Sequence, residues 1–133
     1  MEAEELHFAV QDRDRELVGS LLKNGASPNS FDEISKTPLH YACELEDYSI
    51  ISVLLENGAD INAQNIETDN QHTALGYVAD SASAELIKYL LDMGADPTLR
   101  GWMGLNAIDK AKQRTDAEKK EVLALLGQKG NKI

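Results

Sequence analysis

Two apolar patterns alternate along the chain. The first is a Leu-Leu pair with a glycine three places after it: Leu21-Leu22-Lys23-Asn24-Gly25, Leu54-Leu55-Glu56-Asn57-Gly58 and Leu90-Leu91-Asp92-Met93-Gly94. A degenerate copy, Leu125-Leu126-Gly127-Gln128-Lys129-Gly130, follows. The glycines Gly25, Gly58, Gly94 and Gly130 are spaced by 33, 36 and 36 residues. The second pattern lies between them: Thr37-Pro38-Leu39-His40-Tyr41-Ala42, then Thr73-Ala74-Leu75-Gly76-Tyr77-Val78, then the weaker Asn106-Ala107-Ile108-Asp109-Lys110-Ala111. Two independent signals at one period are the mark of a repeat array.

The residues explain what each unit does locally. Thr37 is suited to cap a helix, its hydroxyl accepting from an orphan N–H. Pro38 then stands at the first helical position, where its missing N–H costs nothing. Leu39, Ala42 and Cys43 recur at helical spacing and are predicted to face inward. A turn falls near Glu46-Asp47. A second helix carries Ile50, Ile51, Val53, Leu54 and Leu55, apolar on more than one side. Gly58 is predicted to end it as a left-handed C-cap, and 59–62 lead out in extended chain. One such helix pair cannot bury both its helices, so neighbours must stack into a short solenoid.

Thr37-Pro38-Leu39-His40-x-Ala42, with Gly58-Ala59-Asp60-x-Asn62, resembles the ankyrin repeat. The resemblance covers 1–133 as one domain of four repeats, about 1–30, 31–63, 64–99 and 100–133. It implies an all-α ankyrin-repeat solenoid of four helix-turn-helix units, with short β-hairpin fingers projecting at right angles. The motif specifies the fold and says little about function.

The departures are local. The first repeat has no finger motif, and its Glu2, Glu4 and Glu5 suit a solvated cap. In the third, Gly76 and Val78 replace the motif's His and Ala, which predicts a less rigid first helix. The fourth has Asn106 and Asp109 in place of Thr and His. Its inter-helix turn is longer, and Thr115-x-x-Glu118 reads as a capping box restarting the second helix. Both ends read as caps, as expected of a complete array. The finger between repeats two and three gains three residues within 65–72. Exposed insertions of this kind often carry binding function.

Composition narrows the function. Of 133 residues, 42% are apolar and 27% charged, as in ordinary globular domains, and only 5% are aromatic, so the core must be aliphatic. Thirteen basic side chains against 23 acidic give a net charge of −10, which argues against binding to nucleic acid or an anionic membrane surface. The charge is uneven. Residues 1–33 hold eight acids and three bases, and residues 101–133 hold four acids and seven bases. A single cysteine, Cys43, allows no internal disulfide. No apolar run approaches the length of a membrane span, and the acidic start does not resemble a signal peptide. A reducing, cytoplasmic setting is expected.

The candidate chemistry is sparse. His40, three residues after Thr37, is predicted to bond back to that cap. His7 has no acidic or cysteine partner at metal spacing, and His72 is expected to be an exposed finger residue. Cys43 reads as a buried thiol. Asp60 and Asp96 read as residues bonding loop backbone, and the repeat glycines as caps rather than a phosphate cradle. No catalytic site, metal or cofactor is predicted. Trp102, in Arg100-Gly101-Trp102-Met103-Gly104, either packs on the neighbouring finger or the fourth repeat, or stands as an exposed anchor, since Trp and Arg are enriched among binding hot spots. Phe31 and Ile34 pose the same choice.

The expected function is therefore protein–protein binding by a monomer, through fingers and first helices lining a concave face. Carrying the motif across position by position places Phe31, Glu33, Ile34, Lys36, Glu44, Leu45, Gln64, Asp69, Asn70, His72, Asp80, Ser81, Arg100, Trp102, Met103, Gln113 and Arg114 there. Glu33, Glu44, Asp69 and Asp80 would make its middle acidic, suited to a basic partner. The alternatives are a dedicated inhibitor of the immunity type, masking a toxin or an enzyme, and a regulatory subunit of an enzyme.

Overall fold

The computed structural model describes residues 4–67 and 72–130, and among them the regular elements are helical. They run α1 Glu5–Gln11, α2 Arg15–Lys23, α3 Pro38–Glu44, α4 Tyr48–Glu56, α5 Ala74–Val78, α6 Ala84–Asp92, α7 Ala107–Ala111 and α8 Lys119–Gly130. Each helix from α2 to α7 begins on a short polar side chain. Asp14, Thr37, Asp47, Thr73, Ser83 and Asn106 accept the N–H three residues on, at 2.8–3.4 Å. Gly25, Gly58 and Gly94 end α2, α4 and α6 at φ of 100°, 94° and 104°, backbone that a side chain would strain.

The first helices line up α1, α3, α5, α7; the second helices pack α2 on α4 and α6 on α8. Between the rows lies an aliphatic core: Leu39, Ile50, Ile51, Leu54, Leu75, Leu86, Ile87 and Leu90 are at most 1% exposed. Ala42 and Ala111 are fully buried at the same place in their helices, where small side chains permit close approach. The third repeat's first helix is five residues long against seven for α3, in line with its weaker motif.

Two expectations change. Among the described residues no β-strand forms, and the first and third fingers are turns and not hairpins. The first closes with one backbone rung, the Asp32 N–H donating to the Lys36 carbonyl at 2.9 Å, and the third with Gly101 N–H to Leu105 O at 2.8 Å. Ser35 and Met103 turn left-handed at φ 65° and 60°, which leaves no extended partner for a ladder. Nor does Thr115 restart the last helix: α8 begins at Lys119. The Glu118 carboxylate instead accepts the backbone N–H of Ala84, in the first turn of α6, at 2.9 Å. It caps a neighbour rather than its own helix.

The loops after the second helices are stitched by asparagine. The Asn29 amide donates to the Gly58 carbonyl at 3.0 Å and its oxygen accepts the Asp60 N–H at 2.7 Å. Asn62 repeats the arrangement on Gly94 at 3.2 Å and Asp96 at 2.8 Å. Asp60 and Asp96 bond loop backbone as expected, accepting from Asn62 and Thr98.

Candidate functional site

One register position recurs along the first helices. Phe8, Tyr41, Tyr77 and Lys110 each precede a buried small residue of the first helix: Ala9, Ala42, Val78 and Ala111. Phe8 is exposed, while Tyr41, Tyr77 and Lys110 are half-buried. The sequence reading passed over all four. The signal was present: their shared offset from the small residue.

His40 ties this row to the second finger. Its Nδ1 accepts from the Thr37 N–H at 3.1 Å and lies 2.8 Å from the Thr37 hydroxyl. Its Nε2 therefore carries the proton and donates to the His72 carbonyl at 2.7 Å. The predicted bond to the cap is present, with a second one to the next repeat. Burial pushes the His40 pKa down to about 4, against the upward pull of the His72 bond, so the ring is neutral at pH 7.

Three residues expected on the face lie largely beneath it. His72 is buried and not the exposed finger residue expected, because the third finger's backbone rests on it. A Cβ on Gly101 would stand 2.5 Å from the His72 Nδ1. Burial, then Lys110, holds the His72 pKa below its ordinary value. Lys36 is buried between two rings, its Nζ 3.9 Å from the Tyr77 centroid and 5.0 Å from that of Tyr41. It donates to the Tyr77 hydroxyl and sits 3.9 Å from the Glu44 carboxylate. Arg114 is 3% exposed, donating to the Ala79 carbonyl at 3.1 Å and to Asp116 at 3.0 and 2.5 Å. Long cationic side chains reach back to cover apolar stems and to satisfy carbonyls of the preceding repeat.

Seven of the expected residues come together around a groove of about 780 Å³: Glu44, His72, Asp80, Ser81, Trp102, Met103 and Gln113. Tyr77 and the fully buried Cys43 also border it. Burial, then Glu46, holds the Cys43 thiol far above its ordinary pKa, consistent with an unreactive thiol. The acids of the groove are already engaged. Glu44 takes Lys36 and the Tyr77 hydroxyl, the latter at 3.4 Å, and Asp80 lies 3.8 Å from Lys110. Lys110 also donates to the Gly76 carbonyl at 3.0 Å, and burial holds its pKa low against the pull of Asp80. The groove's charge is thus mixed.

Its upper wall is the third finger. Trp102 is 50% and Met103 73% exposed, which answers the open choice: both face solvent. The turn holding them is strained, with Met103 at φ 60° followed by Gly104 at φ 73°. Arg100 braces it, donating to the Gly104 carbonyl at 2.7 Å, and Gln64 donates to the Arg100 carbonyl at 3.0 Å. Farther along, Phe31, Glu33 and Ile34 are exposed on the first finger, and Phe31 and Gln64 border a smaller hollow of about 370 Å³. Leu45 is half-buried, its carbonyl accepting from Arg13 at 3.4 Å. Asp69 and Asn70 lie outside the described residues.

A family model for ankyrin repeats matches three copies over residues 6–101. The chain belongs to the ankyrin repeat family. No curated protein matches it in sequence. The match spans the first three units of the ankyrin array and ends just before Trp102. The fourth unit, with its longer turn and its cap exchanged with α6, is where the array departs furthest from the motif. Ankyrin repeats are generally protein–protein interaction modules, and typically not enzymes.

Proposed function

We propose that this ankyrin array is a cytoplasmic protein-binding module. It engages a basic partner, neither nucleic acid nor membrane, through its fingers and the groove beneath them. The observation that carries the reading is the third finger. A strained turn keeps two large apolar side chains, Trp102 and Met103, in solvent at the rim of a groove. Exposed aromatic anchors beside a polar rim are the composition of binding hot spots. The net charge of −10 favours encounter with a basic surface. The same charge suits an inhibitor that masks a basic toxin or nuclease, and that is the second reading.

The test is affinity capture from the source lysate with the wild-type chain, Trp102→Ala, and Lys88→Ala on α6 as a control, all checked by circular dichroism. A basic protein retained by the wild type and the control but released by folded Trp102→Ala supports the reading. Equal retention by all three sinks it. A retained toxin or nuclease whose activity falls on binding selects the inhibitor over the adaptor.

A further inference from the structure

Inside the array, the first turn of each second helix is buried. Ile50 and Leu86, each bonded through its N–H to the cap of its own helix, are 1% and 0% exposed. Leu17 holds the same position on α2, bonded to Asp14, and is 40% exposed. Leu21, one turn on, is half-buried where Leu54 and Leu90 are fully buried. At the opposite end the first helix shows the converse. Leu39 and Leu75 are 1% exposed, and Ile108, in their register, is half-buried.

The charges at these two ends match. Within the array, Arg15, the first residue of α2, pairs at 3.2 Å with Asp47, the cap of α4. At one end of the molecule stands Asp14, the cap of α2, in no ion pair among the described residues. At the other end stands Lys119, the first residue of α8 and so in the place of Arg15, also in no ion pair among the described residues. Around α2 the exposed charges are Glu5, Asp12, Asp14 and Glu16 against Arg13 and Arg15; near the start of α8 Lys112 and Lys120 are exposed with Asp116 and Glu121.

We propose that the two ends dock on each other in successive copies, a second copy of this chain continuing the solenoid. Leu17 and Leu21 of one copy cover Ile108 of the next, and Lys119 meets Asp14 as Arg15 meets Asp47. The contact is heterologous and does not close, so association continues with concentration. The surface is separate from the groove and its finger.

The experiment is sedimentation of the full chain at concentrations reaching about 1 mM, the range in which a single weak junction registers. Two variants accompany it, Leu17→Glu at one end and Lys119→Glu at the other. Both positions are on the surface, and circular dichroism checks the folds. The wild type is expected to rise in mass with concentration past that of a dimer, more at low salt than at high, since the exposed pair is screened by ions. Each variant alone is expected to stay monomeric. An equal mixture of the two retains one intact junction and is expected to stop at a dimer. A wild type that stays monomeric throughout, or folded variants that assemble as the wild type does, or a mixture that stays monomeric, overturns the proposal.

Discussion

At the residue scale the array depends on small side chains where helices approach and on large ones between rows. Ala42 is fully buried, so Ala42→Leu must displace its neighbours and is expected to cost about 1–3 kcal/mol. Leu54→Ala opens a cavity in the middle of the core and is expected to cost about 2–5 kcal/mol. Thermal melts of both variants check this, and unchanged midpoints would refute the packing described. His40 adds a pH dependence. Its folded pKa of about 4 lies below the unfolded value near 6.5, so the unfolded chain binds the extra proton. Stability from the neutral ring is complete above pH 6.5 and drains away as pH falls toward 4, a loss on the order of 3 kcal/mol. Urea midpoints across that window should fall in the wild type and fall less in a folded His40→Gln variant.

At the element scale the repeat motif made the helices, their caps and the aliphatic core legible, because each rests on local chemistry: a hydroxyl, an imino acid, a glycine. What stayed hidden was chemistry between repeats. Glu118 reads as a local capping box, yet its carboxylate finds the first turn of α6, which no spacing within one repeat reveals. His72 reads as an exposed finger residue because the close approach of Gly101 belongs to the next finger. Lys36 and Arg114 carry charges that sequence reading assigns to solvent, but an aromatic pair and a bare carbonyl bury them. The candidate site was read in part: the exposure of Trp102 and Met103 depends on a two-residue left-handed turn that composition alone leaves undecided. Arg114 yields a direct test of the seam. Arg114→Met keeps the stem but abandons the Ala79 carbonyl, and a loss of about 1–3 kcal/mol is expected in chemical denaturation. Stability equal to wild type would show that the carbonyl finds water instead.

At the scale of the whole molecule, the excess of acid sits mostly on surfaces outside the groove, where Glu44 and Asp80 face lysines and Glu46 accepts from Ser83. Charge then acts on encounter more than on retention. Glu33→Lys combined with Asp80→Lys is expected to slow association with a basic partner, most strongly at low salt, and to leave dissociation nearly unchanged. Surface plasmon resonance at two ionic strengths reads both rates. An association rate that ignores both the reversal and the salt would remove charge from the mechanism.

The asparagine stitches, finally, divide the molecule mechanically. Asn29 and Asn62 join the loops of repeats one to two and two to three, but the third loop carries Thr98 in that place, and Thr98 bonds back to its own Asp96. The last repeat is fastened instead by the Arg114 and Glu118 side chains reaching into repeat three. The array is therefore a zipper with two kinds of teeth, amide pairs between neighbouring loops and long side-chain clasps onto the backbone of the preceding repeat. As denaturant rises at neutral pH, opening should start at α7 and α8 and travel inward. Amide hydrogen exchange would register that order as early loss of protection in the fourth repeat, while the first three still exchange together.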